Sequence, residues 1–337
     1  MEDPKIHVNF FQRRPRKGFS FSVEYIFEDI RRRLADKIVP TVYISKCYND
    51  GYYTKIVNII EAAFRKKADV NHITGEVHFL NLLMKKENVI LTVLDCGVMP
   101  RKKGLARKIV KWLYLTAPVN RSKYVTAISE ITKQEIIGYT NCNPDKIYVI
   151  PVAIDPLYIP FPKAFNKDKP CILHIGTGFN KNLLRLIEAI EGINCRLSII
   201  GKLSNEHLQA LEENNIDYEN EYNISNERLF EKYKECDIVA FVSTFEGFGM
   251  PIVEGNAVER AVVTSNVSSM PEVAADAACL VDPYDVDSIK AGILKLIDDD
   301  VYREKLISNG KLNRLRFDAD AVAAMYHELY CKASINR

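Results

Sequence analysis

The sequence predicts an α/β protein built of two doubly wound domains, each a parallel sheet covered by helices on both faces. Three observations carry that reading. Short, apolar, β-branched runs alternate with amphipathic stretches through both halves of the 337-residue chain. A segment with four prolines and no periodicity, IDPLYIPFPKAFNKDKP (154–170), separates the halves. The halves also carry opposite charge: of 46 Lys/Arg and 44 Asp/Glu in all, residues 1–165 hold 27 and 16, leaving 19 and 28 for residues 166–337. A chain of this length exceeds one compact core. The expected domains are therefore residues 1–160 and 161–337, hinged by the proline-rich segment.

In the first half the strand candidates are IHVNFF (6–11), PTVYIS (40–45), VNHITG (70–75), NVILTVLD (88–95), YVTAIS (124–129) and KIYVIPVA (146–153). Helical patterns such as SVEYIFEDIRRRLADK (22–37) lie between most of them. The second half gives CILHIG (171–176), CRLSIIG (195–201), DIVAFVST (237–244), AVVTSN (261–266) and ACLVD (278–282). Its helical patterns are NLLRLIEAIEG (182–192), with Leu183, Leu186, Ile187 and Ile190 on one face, NERLFEKYKE (226–235) and SIKAGILKLI (288–297). Strands that are apolar throughout belong to parallel sheets buried on both faces. Such sheets bind ligands at the carboxyl ends of their strands, so two of them would enclose a cleft.

No apolar run reaches the roughly 18–20 residues that span a bilayer, and MEDPKIHVNFFQRR has no basic-then-apolar secretion signal. The eight cysteines are dispersed, with no Cys-x-x-Cys pair, which argues against zinc knuckles and disulfide frameworks. A cytoplasmic protein is expected. The basic half should face an anionic partner. It lacks stacking signatures, helix-turn-helix patterning and zinc spacing, so nucleic acid is not the expected partner.

The stretch STFEGFGMPIVEGNAVER (243–260) places Glu246 and Glu254 around Gly247-Phe248-Gly249-Met250, directly after a strand. Pro251 suits a helix's first turn, and the loop and helix N-terminus offer backbone N–H donors. A carboxylate accepts well from vicinal hydroxyls; equally, acids there can simply offset a helix dipole. HIGTGFNKN (174–182) closes the first strand of the same half. Gly176 and Gly178 allow close backbone approach, and Lys181 supplies a cation for phosphate. The spacing is neither a dinucleotide fingerprint nor a Walker loop. A cation at one strand end and hydroxyl acceptors at another suit a nucleoside diphosphate sugar.

These residues make the second half similar to the donor domain of retaining GT-B glycosyltransferases of glycosyltransferase family 4. The resemblance rests on E246-GFGMPIV-E254, SNVSSMPEVAADAACLVDPYD (265–285) and GTGFNKN, over about 171–332. The first half resembles that family through HITGEVHFL (72–80), TVLDCG (92–97), AISEITKQEI (127–136) and VIPVAID (149–155). The resemblance implies two Rossmann-like domains facing across a cleft, with a C-terminal helix able to return to the first. It implies transfer of a hexosyl unit from a UDP- or GDP-sugar to a glycan or lipid-linked acceptor in surface polysaccharide or lipopolysaccharide synthesis. Configuration would be retained, and no metal or other cofactor would be required. Carried over by position, Glu246 looks like the residue at the transferred hexose and Glu254 the ribose ligand. Lys181 would lie on the diphosphate, with Gly176, Thr177, Gly178, Asn180 and the 247–250 backbone around it. Lys202, Tyr222 and Ile224 would lie near the base. On the acceptor side the matching positions are Gly18, His72, His78 and Asp95, although a buried or capping role competes for both histidines. Thr177 stands where relatives often carry Arg, and Leu94 where many carry His. Those departures admit one alternative, a catalytically silent nucleotide-sugar-binding homologue that supports an active partner.

Asp285-Val-Asp287, Asp298-Asp299-Asp300 and Asp318-Ala-Asp320 superficially match metal-binding Asp-x-Asp motifs. None follows a strand beside the expected site, and Asp287 and Asp318 suit helix N-caps. RKKGLARKIVKWLYLTAPVNRSK (101–123) holds eight cations, no acid and the single tryptophan, Trp112. A basic helix over 105–115 could rest on an anionic membrane surface; equally, Ile109, Trp112, Leu113 and Leu115 could pack on the sheet. RRPRKGFSFS (13–22) could line the acceptor side.

Overall fold

The computed structural model describes residues 5–15, 22–65, 68–97, 99 and 104–334. The chain divides into two units: Met1–Ala153 with Ala319–Arg337, and Ile154–Asp318. In chain order the first runs β1 (Ile6–Gln12), α1 (Ser22–Arg33), β2 (Ile38–Ile44), α2 (Tyr52–Phe64), β3 (Val70–Thr74), β4 (Val89–Val93), α3 (Gly104–Lys111), α4 (Ala117–Asn120), β5 (Tyr124–Ala127), α5 (Glu130–Thr140) and β6 (Ile147–Val149). The second runs β7 (Cys171–Ile175), α6 (Leu183–Ile190), β8 (Arg196–Ile200), α7 (Asn205–Glu213), β9 (Tyr218–Glu221), α8 (Asn226–Glu235), β10 (Ile238–Phe241), α9 (Met250–Ala257), β11 (Ala261–Ser265), α10 (Met270–Ala274), β12 (Cys279–Val281), α11 (Val286–Asp298) and α12 (Asp300–Asn313). Helix α13 (Ala319–Ser334) ends the fold.

Each unit is a six-stranded parallel sheet. The orders are β2-β1-β3-β4-β5-β6 and β12-β11-β10-β7-β8-β9. Strands β3, β4, β10 and β11 are buried along their whole length. Of these, β4, β10 and β11 are apolar apart from Thr and Ser, as strands covered on both faces are, and in β3 the polar Asn71 and His72 are buried with hydrogen-bond partners. Leu183, Leu186, Ile187 and Ile190 of α6 are all buried, packed with Ile172, Leu197, Ala240 and Val263 of the sheet. Each such side chain contributes about 1.5–3 kcal/mol by leaving water. The first strand ends at Gln12 and α1 stops at Arg33 rather than 37 because Ala35–Lys37 turn back on Leu34.

Two expectations are corrected. The division falls at 153/154 rather than 160/161. The C-terminal helix does return to the first unit, as the resemblance implied, so Ala319–Arg337 group there and not with the second domain. Helix α13 buries Val322, Ala323, Tyr326, Leu329 and Tyr330 against Val8, Phe10, Phe27 and Ile90, so its apolar face is complementary to the first sheet. The second correction is β9, whose sequence YENE has no apolar alternation to betray it. It is an edge strand held by charge: Lys232 donates to both Glu219 and Glu221, and Arg228 pairs with Glu221.

Candidate functional site

Strands β7 and β10 are neighbours in the second sheet but distant in sequence. The chain turns to opposite sides there, which opens a crevice at the carboxyl edge of such a sheet. The loop leaving β7 carries Gly176–Lys181, and the loop leaving β10 carries Ser243–Gly249. The two loops are stitched together: the Thr244 N–H donates to the Asn180 carbonyl (2.8 Å), and the Asn182 amide donates to the carbonyls of Val242 (3.0 Å) and Pro283 (2.7 Å). Lys181 Nζ donates to Glu246 Oε1 at 2.6 Å, and Asn180 Nδ2 reaches the same oxygen at 3.1 Å. Gly176 makes the Lys181 approach possible. It sits at φ +92°, and a Cβ there would lie 3.0 Å from Lys181 Cγ and Cε, so only glycine fits both the backbone and the lysine stem.

The backbone of the 246–249 loop is clamped by two serines. Ser268 Oγ accepts from the Glu246 N–H (3.2 Å) and donates to the Glu246 carbonyl (2.7 Å), while Ser269 Oγ donates to the Phe248 carbonyl at 2.6 Å. Phe248 is buried edge-on against Phe317, with ring centroids 5.4 Å apart. Gly249, at φ +116°, is the N-cap of α9, with Met250 and Pro251 in its first turn. Glu246 is held at its side chain and on both sides of its backbone, which suits a carboxylate that must meet a ligand in one geometry.

Glu254 lies in the second turn of α9. It belongs to a separate network, accepting from the Tyr233 and Tyr158 hydroxyls. Burial pushes its carboxyl up to about 7; the Tyr233 bond opposes that rise, and the Asp155 charge adds to it. Thr177 Oγ1 donates to the Lys202 carbonyl at 2.8 Å, holding that exposed residue against the first loop. Gly178 and Tyr222 are exposed, Ile224 and Gly247 half-buried. Sequence reasoning missed the anchoring roles of Asn182, Ser268 and Ser269, and also Phe179, whose ring is fully exposed on the Lys181 loop. The serines lay within a quoted motif, but nothing in their spacing marked which backbone groups they would satisfy.

In the first unit His72 is not an acceptor-site residue. It is fully buried: Nδ1 meets the Tyr330 hydroxyl (2.9 Å), Nε2 meets Thr92 Oγ1 (2.7 Å), and Thr92 meets Thr126. Burial pulls its pKa down to about 3, so it is a neutral link in a polar ladder across β3, β4 and β5 that receives α13. His78 and Asp95 do share a site, a pocket of about 560 Å³ that Glu76, Leu94, Ile109 and Leu113 also line. His78 Nδ1–H donates to the Tyr114 carbonyl (2.6 Å), and burial lowers its pKa. That carbonyl lies in a π-helical turn, Trp112–Thr116, which continues α3. Gly18 lies outside the described residues.

The Asp-x-Asp decoys are caps and pairs. Asp285, rather than Asp287, is the N-cap of α11; Asp299 caps α12, and Asp300 pairs with Arg303. Among the described residues no group of three or more His, Cys, Asp or Glu is arranged to hold a metal ion. The basic segment divides between its two readings: Leu115 is buried and Leu113 packs on the core, but Ile109 and Trp112 are exposed.

Residues 158–313 match the family described as glycosyl transferases group 1. The chain is 39% identical over 94 residues to O-antigen chain mannosyltransferase B of Escherichia coli, which is 28% of this chain and 25% of that protein. It is 32% identical over 114 residues to MMP alpha-(1->4)-mannosyltransferase of Mycolicibacterium hassiacum, 33% of this chain and 28% of that one. The aligned stretches thus span about a quarter of the length of these curated relatives. The crystal structure of Anabaena HepE in complex with UDP and glucose superposes with a TM-score of 0.79 at 16% identity, covering 97% of this chain and 100% of that one. That likeness gives the fold, two α/β units of the GT-B kind.

Proposed function

We propose that this chain, whose second unit carries the glycosyl transferases group 1 domain, is a glycosyltransferase. It would move a hexosyl unit from a UDP- or GDP-sugar to a glycan or lipid-linked acceptor in surface polysaccharide or lipopolysaccharide synthesis, with retention at the anomeric carbon. Mannosyl is the unit that the names of both relatives favour. The observation that carries the reading is the Lys181–Glu246 pair at the strand-order reversal, fixed by Asn180, Ser268 and Ser269.

The chemistry follows from that pair. An ammonium has three donors, so Lys181 can keep Glu246 in place and still donate to a diphosphate. As the bond between the anomeric carbon and the phosphate oxygen breaks, charge grows on the diphosphate, where Lys181 and the N-terminus of α9 stabilise it. The acceptor oxygen bonds to the anomeric carbon on the same face, and its proton passes to the departing phosphate oxygen. Glu246, held by Lys181, faces the transferred sugar, and Glu254 accepts from the ribose diol. Exclusion of water would limit donor hydrolysis.

Thermal shift against UDP, GDP, ADP and their sugars tests the donor site: a nucleotide at 100 times its Kd adds about 2.7 kcal/mol of stability. No shift with any of them sinks the assignment. Transfer from a matched donor, with the product anomer read by NMR, tests the stereochemistry; an inverted anomer overturns retention.

A further inference from the structure

Two helices of the first unit present unpartnered apolar faces on either side of one pocket. On α2, Tyr52, Ile56, Ile60 and Phe64 recur every four residues, a single stripe that Tyr53 widens, and all five are exposed. The opposite face holds the helix to the fold through buried Asn58 and Ala62. On α3 no residue is buried, and Leu105, Ile109 and the following Trp112 form a second exposed stripe. Tyr52 and Ile109 also line the 560 Å³ pocket, so the stripes adjoin at its mouth. Eight large exposed apolar side chains on two helices that meet at one pocket exceed the single scattered apolar residues that a monomer ordinarily leaves in water.

Charge identifies what covers this face. Arg107, Lys108 and Lys111 lie on α3, and the sequence from Leu105 to Lys123 contains no acid. A second copy placed about a two-fold axis would set those cations against themselves. Tyr52, Tyr53 and Trp112 combine an apolar ring with a polar handle, the composition that settles at headgroup level. No helix of the described residues is long and apolar enough to cross a membrane. We infer that α2 and α3 form an interfacial docking surface for an anionic lipid bilayer, with the pocket opening toward the headgroups. A consequence, which rests on the proposed activity, is that an acceptor carried on a lipid enters the pocket from the membrane, with Glu76, His78 and Asp95 meeting its polar end.

Trp112 is the only tryptophan, so its emission reports this face alone. With vesicles of phosphatidylcholine and phosphatidylglycerol (about 7:3) the emission should shift to the blue and the protein should co-sediment. At about 0.5 M salt binding should weaken, since screening shortens the reach of the cations. Pure phosphatidylcholine should bind at least tenfold more weakly. Lys108→Glu with Lys111→Glu, and separately Tyr53→Ser with Phe64→Ser, should each weaken sedimentation about tenfold or more. None of these four residues lines the pocket, and the nucleotide thermal shift should be unchanged, which separates this test from that of the donor site. Absence of a blue shift overturns the inference. So does equal binding to neutral vesicles, or a dimer by light scattering that Tyr53→Ser with Phe64→Ser converts to monomer.

Discussion

The two units share an all-parallel six-stranded sheet yet use its carboxyl edge differently. In the second unit, neighbouring strands β7 and β10 send out loops that meet, and a lysine and a glutamate are locked together by amide and hydroxyl side chains. In the first, the interior of β3, β4 and β5 carries a buried His–Thr–Thr ladder, and the edge is an open pocket walled by helices. Under the proposed function, the same fold plan has one half hold an anion and a polyol in fixed geometry. The other half anchors its own C-terminal helix below a pocket of about 560 Å³. Position in a doubly wound sheet therefore offers a site without dictating its chemistry.

The largest effect should come from breaking the committed pair. Glu246→Gln keeps the shape and the hydrogen bonds to the loop but removes the carboxylate that the proposed function sets against the reacting sugar. Turnover should fall about 10²–10³-fold, the scale of losing one preorganised electrostatic group. Nucleoside diphosphate affinity should stay within a few-fold, because Lys181 remains and is relieved of its competitor. Steady-state kinetics with calorimetry reads both; a variant that transfers sugar at the parent rate would remove Glu246 from the reaction.

The buried ladder should respond in the opposite currency. His72→Leu strands the buried Tyr330 hydroxyl, at about 1–3 kcal/mol, while Thr92 loses one partner and keeps Thr126. Stability by denaturant should fall, with unaltered Kd for nucleotide. If instead a folded His72→Leu protein lost acceptor turnover alone, the division of labour between the units would be wrong.

How much of this was legible varied with the physics. All six strands of the first sheet and five of the second were marked by short runs rich in apolar and β-branched residues, clearest in β4, β10 and β11, where burial on both faces leaves no alternation to confuse. β9 was not, since its residues answer to Lys232 and Arg228 across the edge rather than to a core. Lys181 and Glu246 were marked by glycines and by their place after strands. That they touch was not legible, because the contact depends on which strands are neighbours. For His72 a buried role already competed with a site role, and the partner that decides it, Tyr330, lies 258 positions away. The stripe on α2 was invisible for a related reason. YYTKIVNIIEAAF is apolar nearly all round, and only the packed structure shows which face stays uncovered.

The smallest effect, and the most selective, concerns Glu254. Its carboxyl is raised from an ordinary 4.5 to about 7 by burial, so the folded protein binds that proton more tightly than the unfolded chain. The resulting stability is fully present below 4.5 and is lost as pH rises through about 7. Nucleotide binding should run the other way. A ribose diol donates to a carboxylate, so affinity is full above about 7 and declines about tenfold per pH unit below it, while the ligand itself favours ionisation. His72 and His174, pushed to about 3 and about 4, stay neutral across this window and cannot produce the slope. Calorimetric Kd values between pH 5.5 and 8, set beside those of Glu254→Gln, isolate the effect: the variant should bind weakly with a flat profile. A parent protein whose affinity is equally flat would take the ribose away from Glu254. Its tyrosine-held carboxyl would then be a piece of the core, like the histidine in the other unit.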